Sequence, residues 1–562
     1  MSTLRALARA QALAAGVAQP VATVRHLHLA ERPLVLVPLA MAGEANAPLA
    51  ALVGDAPDAA RLLIVPQPRN RDQRYRFAAE LAAIVLPYLD GFRGVAEAVP
   101  VDRGRDVRYR YVDAPQLLVP NPAGVTFLRL LGRSTRFRRP DGEHPVHPSV
   151  PVLGRWLTFF AERAEHPGSS ALVAMTDALT LHWATGQSVV EDLHLPALLG
   201  WIDPPAGLTG PEAAARAEDP ALCPPAGPAT DPDFDNHRLA PAIAAYAAAE
   251  DDAEARAGAY AELERLLRAQ LAPTWELMWR GVGLLRGLPP GARVAGRWDG
   301  DKDAFTGYAE HVDAGGPPQP RRDGAVAAAQ RLHRLERALT SYAVQRAYDD
   351  PLVMAEHRLT GEAFVGEVTL ADPKRVDDTG KRPVLRPRVQ VVTTEPVPMP
   401  VGATLYSPAR PAQKAKVVFV TPAADGKTEV VLELSGGMGR GLTAPPGTVP
   451  EVGERLCYTT LSDSFMPAGA FPAVEETPWT HGGPPVPVPA PSDPAPDPGP
   501  AAVPPGPGPA PAPPGPGPAA VPPGHGLALA PVSHGPASGS TDRAVAAASS
   551  TDVYGDPDEE WA

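Results

Sequence analysis

The sequence predicts a multidomain α+β protein. It reads as an N-terminal α/β domain over residues 1–205, a linker over 206–239, a helical region over 240–360, a small β-barrel or sandwich over 361–470, and a disordered Pro/Gly/Ala-rich tail over 471–562. Three observations carry this. Two strand–turn–helix phrases of matching form lie in the first 140 residues. A stripe of large apolar residues at helical spacing begins after residue 240. Short β-rich runs, broken by turn residues, fill 362–461.

Taken in order, the first eighteen residues are Ala-rich with Arg5 and Arg9. They fit a surface helix better than a signal peptide, whose apolar stretch is stronger. Apolar runs at 34–39, 62–65 and 116–119 fit buried strands. Two of these lead through "LLIVPQP" and "QLLVPNP" into helical patterns marked by Phe77, Leu81, Ile84 and Leu86, and by Val125, Leu128 and Leu131. Residues 170–183 are apolar and fit either strand or helix. Residues 206–235 are rich in Pro, Ala and Asp, as a surface linker would be. Tyr260, Leu263, Leu267 and Leu271 then mark a helix, with a break expected at Pro273 before Trp275, Met278, Trp279, Val282 and Leu285 continue the stripe. A Gly/Pro-rich loop is expected over 288–323, and another helix through Leu332, Leu335, Leu339 and Tyr342. Six β-rich runs follow at 363–370, 388–393, 403–406, 416–420, 429–434 and 454–460, with Asp425-Gly426 as a hairpin signal. Residues 481–530 hold 20 prolines and two charged residues, too little apolar surface to offset backbone entropy.

Composition narrows the function classes. No run of apolar residues is long enough to span a bilayer, and with two well-separated cysteines, Cys223 and Cys457, the chain is expected to be cytoplasmic and without membrane contact. The net charge is −13, yet residues 1–140 carry 19 Arg against 11 acidic residues, +8, leaving −21 for the rest. Only six lysines occur, the first at Lys302. High-GC, bacterial codon usage accounts for much of the arginine. The absence of lysine before residue 302 removes Schiff-base and P-loop lysine chemistry from the first half.

Most motifs fail on their own physical requirements. Gly436–Gly441 follows a strand but leads into Pro445-Pro446 rather than a helix that could face a phosphate. Gly426-Lys427-Thr428 lacks the upstream glycine of a phosphate loop. Asp231, Asp233 and Asp235 lack the glycine and glutamate of a calcium loop; Asp299, Asp301 and Asp303 have Glu310 at the right spacing but Ala304 where glycine belongs. His26/His28 and His144/His147 have no cysteine partners, and there is no G-x-S-x-G elbow. No metal and no cofactor is expected.

Arginine interleaved with aromatic residues is the most informative pattern. Three segments show it: Arg69, Arg71, Arg74, Tyr75, Arg76 and Phe77; Arg103, Arg105, Arg108, Tyr109, Arg110 and Tyr111; and Arg133, Arg136, Phe137, Arg138 and Arg139. A guanidinium can fork onto phosphate oxygens, and rings can stack on unpaired bases; the bland alternative is a solvated face paired with nearby carboxylates. The β-rich region adds Lys374, Arg375, Lys381, Arg382, Arg386 and Arg388. The expected function is a non-catalytic accessory protein that binds a protein partner or nucleic acid through the basic N-terminal face and the β domain. One alternative is a hydrolase-like enzyme with a non-standard site at the strand ends, drawn from Asn121, Thr126, Ser134, Asp177 and His182. Another is a structural scaffold that assembles a complex through its helical region and tail.

Overall fold

The computed structural model describes residues 2–101, 104–380, 382–423, 426–463 and 469–472. The tail expected over 471–562 therefore lies outside the described residues except for its first two, and so do Arg103, Lys381 and Asp425. Within these bounds the protein is mixed α/β, with a five-stranded sheet and a closed six-stranded barrel.

The sheet runs in the order Arg61–Ile64, Glu44–Gly54, Leu34–Met41, Leu117–Val119, Leu172–Ala174. The first three strands are antiparallel neighbours; the last two join in parallel. Leu34–Met41 is apolar at nearly every position because both of its faces are covered. Leu34, Leu36, Val53 and Leu63 face a layer of helices that contributes Phe77, Leu81, Phe127, Leu131, Leu157 and Phe160. Val35, Val37, Leu39 and Leu52 face the opposite layer, which contributes Leu198, Leu267, Leu271, Trp275 and Met278.

That second layer comes from the region read as helical. The helix Ala253–Arg286 lies on the sheet and buries Leu263, Leu266, Leu267, Leu271, Trp275, Met278, Val282 and Leu285. At roughly 1.5–3 kcal/mol per large apolar side chain, such a face cannot be left to solvent. The same term explains why the helix runs unbroken through Pro273. A proline in a helix interior costs about 3 kcal/mol, less than the burial on either side of it. Trp275 adds an indole hydrogen bond of 2.8 Å to the carbonyl of Pro57.

Two more expectations are corrected. The region 288–323 contains the helix Val294–Asp313, whose Trp298, Phe305 and Ala309 join the first core. Its Gly and Asp content hid a face that is apolar at only a few positions. The expected linker is also packed: it contains the helix Gly210–Ala217, closed by a Thr209/Glu212 capping box. Further along, Gly227 lies against the carbonyl of Pro38 so closely that a Cβ there would sit 2.5 Å from the oxygen; its φ of 78° also favours glycine.

The barrel closes in the order Ala363–Asp372, Arg388–Thr393, Thr428–Ser435, Arg410–Pro422, Thr404–Ser407, Arg455–Thr459. Alternation sends Val389, Val391, Val430, Leu432, Leu434 and Val417 inward. It joins the rest of the chain through Ala325–Asp349 and Pro351–Leu359, where Ala347, Met354 and Ala363 form a small core of their own. At this junction Asp350 accepts hydrogen bonds from the Thr23 amide (2.7 Å) and the Leu352 amide (2.9 Å), tying the N-terminal segment to the helix start. Among the described residues, no helix is long and apolar enough to cross a membrane, and neither cysteine is in a disulfide.

Candidate anion-binding surface

The first and third Arg/aromatic segments meet; the second lies elsewhere. Asn70 caps the helix Arg71–Asp90 by accepting from the Gln73 amide. The helix therefore starts at Arg71, and Arg71 and Tyr75, four residues apart, share a face. The Arg71 guanidinium lies 5.3 Å from the Tyr75 ring centre, and Arg138 lies 5.6 Å from the same ring. Phe137, next in chain to Arg138, is likewise flanked by Arg136 at 4.8 Å and Arg321 at 5.2 Å. Burial pushes the Tyr75 hydroxyl up from its ordinary range, against the pull of Arg138 and Arg71, so it stays protonated beside two cations.

A close helix crossing puts the third segment there. Helix Pro122–Thr135 meets helix Ser149–Ala164 at Gly132 and Gly154. A Cβ on Gly154 would fall 2.4 Å from the Arg136 amide nitrogen, and one on Gly132 would fall 2.9 Å from the Thr158 nitrogen. Beyond the helix end the chain folds back, with the Val146 amide donating to the Arg139 carbonyl at 3.0 Å. Beside it is an open hollow of about 630 Å³ lined by Asn70, Arg71, Asp72, Glu143, His144 and Pro145.

The arginines divide into two kinds. Arg136 is buried and donates to the carbonyls of Gln319 (3.0 Å) and Pro320 (3.2 Å), which makes it a strap for that loop. Arg74 is buried against Glu44, which also pairs with Arg69. Arg110 is held by Glu97, Asp299 and Asp303, Arg108 pairs with Asp303, and Tyr109 is exposed. Here the pairing with carboxylates that the sequence left open is what the second segment does. By contrast Arg133 and Arg139 are exposed, and their side chains make no ion pair with any described residue; Arg76 is exposed as well. Arg138 donates through Nε to the Ser134 carbonyl at 3.3 Å, so Arg133 and Arg139 have whole guanidinium groups to offer, and the half-buried Arg71 and Arg138 only part of theirs.

On the barrel, Arg375 and Arg388 both bond Glu433, and Arg382 is exposed. The sequence reading missed a row across four barrel strands, Leu370, Gln390, Val431 and Phe419, in register. Leu370 and Phe419 are exposed there. The alternation of Arg410–Pro422 shifts at a bulge between Val417 and Phe419, which turns the ring outward and hid it from a period-two reading.

The residues of the enzyme alternative make separate local contacts. Asn121 caps its helix and donates to the Gly227 carbonyl at 2.8 Å, so the segment around Gly227 covers the strand ends where a crevice would open. Thr126 and Ser134 bond carbonyls of their own helix. Asp177 is exposed on the short helix Met175–Thr180. His182 is fully buried; Nδ1 faces the Ala178 carbonyl at 2.6 Å and Nε2 accepts the His26 amide at 3.0 Å. Burial lowers it to about 4, so both ring nitrogens act as neutral structural partners.

The acidic triplet at 299–303 sits on a helix and is committed to arginine. Asp301, with a fully buried side chain, accepts from Arg163, from the Ser169 hydroxyl (2.7 Å) and from the Ser170 amide (2.7 Å). Among the described residues, no three His, Cys, Asp or Glu side chains are grouped to hold a metal ion. Comparison with protein-family models, with curated proteins and with solved structures finds no match.

Proposed function

We propose that this chain is a non-catalytic accessory protein that holds the phosphate backbone of nucleic acid through Arg71, Arg133, Arg138 and Arg139. The observation that carries the reading is the pair of rings, Tyr75 and Phe137, each flanked by two guanidinium groups on adjoining segments. Ring faces occupied by arginine are not free to stack on bases. The Tyr75 ring holds the guanidinium groups of Arg71 and Arg138, the Phe137 ring fixes the segment between Arg136 and Arg138, and Arg133 and Arg139 extend from it into solvent; N–H edges of this group can fork onto phosphate oxygens. The contact is therefore sequence-independent and salt-sensitive. The exposed Phe419 on the barrel supplies a second, aromatic contact where a base can stack.

The test is binding of the full chain to fluorescently labelled single- and double-stranded oligonucleotides at low salt. The Arg133→Glu/Arg139→Glu variant reverses two charges that contact no described carboxylate, so its fold is spared. Affinity should fall at least tenfold in it. Wild-type binding that is unaffected by these changes would overturn the reading and leave a protein partner as the occupant of this surface.

A further inference from the structure

We infer that segment 551–562 of this same chain docks on the Arg71–Arg138–Arg139 surface, competing with nucleic acid for it; the inference rests on reading that surface as an anion site. Three observations lead to it.

The first is charge. Segment 551–562 carries Asp552, Asp556, Asp558, Glu559 and Glu560 and no basic residue. From residue 473 onward ten acidic residues face a single arginine, Arg543. The segment is thus the most concentrated negative charge in this part of the chain, while Arg133 and Arg139 expose guanidinium groups with no carboxylate partner among the described residues. The second is shape. The acidic run is bracketed by Tyr554 and Trp561. Beside Arg71 lies the 630 Å³ hollow with His144 and Pro145 on its wall, large enough for an indole. Asp72 and Glu143 on the same wall repel carboxylates from the hollow and direct them onto the arginines outside it.

The third is reach. The described chain ends near Phe471, whose ring meets His333 at 5.9 Å. Two residues away Arg331 pairs with Glu165, and Glu165 pairs with Arg129 at 2.9 Å. Arg129 lies one turn before Arg133 on the helix that leads to Arg138. The end of the described chain is therefore a few side-chain lengths and about two helical turns, roughly 30 Å in all, from the surface. About eighty residues separate Phe471 from the segment, and a random coil of that length has a root-mean-square span of about 45–55 Å, so the length of chain suffices.

The experiment uses the full chain with Asp552, Asp556, Asp558, Glu559 and Glu560 changed to Asn or Gln. A labelled peptide of sequence 551–562 should bind this variant and lose at least tenfold in affinity when Arg133→Glu/Arg139→Glu is added. The neutralised chain should also bind oligonucleotide about tenfold more tightly than the unaltered chain, and the peptide should be displaced by oligonucleotide. Peptide binding indifferent to the arginine changes, or equal oligonucleotide affinity with and without the acidic residues, would overturn the inference. Peptide binding that depends on the arginines, with no oligonucleotide binding by either chain, would uphold docking and sink the nucleic-acid reading alone.

Discussion

Replacing Asp301 with alanine should be the most damaging single change away from the candidate surface. The Asp301 carboxylate, fully shielded from solvent, accepts from Arg163 Nε at 3.1 Å and Nη2 at 2.5 Å, and from Ser169 Oγ and the Ser170 amide, both at 2.7 Å. Alanine leaves the buried Ser170 amide unpaired, which costs about 1–3 kcal/mol. It also strips Arg163 of its counter-ion. Breaking a buried pair costs about 3–5 kcal/mol, reduced here because the Arg163 side chain keeps 17% of its exposure and can recruit water. The sum is about 4 kcal/mol, a fall in Tm of about 4 °C for a chain of this size. Asp301→Asn keeps one acceptor oxygen and the shape, and should lose about half as much. Thermal and urea unfolding followed by circular dichroism would measure both. A loss below about 1 kcal/mol in Asp301→Ala, or equal losses in the two variants, would refute the reasoning.

Other outcomes follow from the same structure. His182 titrates near 4 when folded against 6.5 otherwise. The unfolded chain therefore binds the proton first as pH falls, and stability from this group should decline between pH 6.5 and 4 and level off below; His182→Phe should flatten that part of the stability–pH profile. Gly154→Val should push the two crossing helices apart at Arg136, reducing stability by a few kcal/mol and oligonucleotide affinity with it, as unfolding and binding measured on one preparation would show. Phe419→Ala should leave Tm within about 1 °C, because the ring is exposed, while weakening single-stranded binding by several-fold and double-stranded binding little.

Periodic elements were legible because their patterns are local. Strands at Leu34–Met41, Leu117–Val119 and Arg388–Thr393, the helix Arg71–Asp90 and the six barrel strands all follow from apolar spacing. What was not legible depends on distant partners. Helix Ala253–Arg286 survives Pro273 because Leu271, Trp275 and Met278 find the sheet, which no local window reveals. Helix Val294–Asp313 looked like a loop because its acidic residues serve Arg110 and Arg163 from other segments. The same holds for the surface. Sequence pointed to Arg71, Tyr75 and Arg138, but the fold decides which arginines are spent: Arg136 and Arg74 on buried acceptors, Arg110 on three carboxylates, while Arg133 and Arg139 stay uncommitted.

The salt dependence of oligonucleotide affinity tests the central claim most directly. The full chain and its Arg71→Ala/Arg138→Ala/Arg139→Ala variant would be titrated with one oligonucleotide across a salt series. Phosphate contact predicts a steep linear fall of log affinity with log salt, shallower in the variant by about 2–3 units because three arginines no longer displace counter-ions. Both chains would carry Asp552, Asp556, Asp558, Glu559 and Glu560 changed to Asn or Gln, so competition from that segment enters neither slope. Equal slopes, or no binding at low salt, would contradict the account.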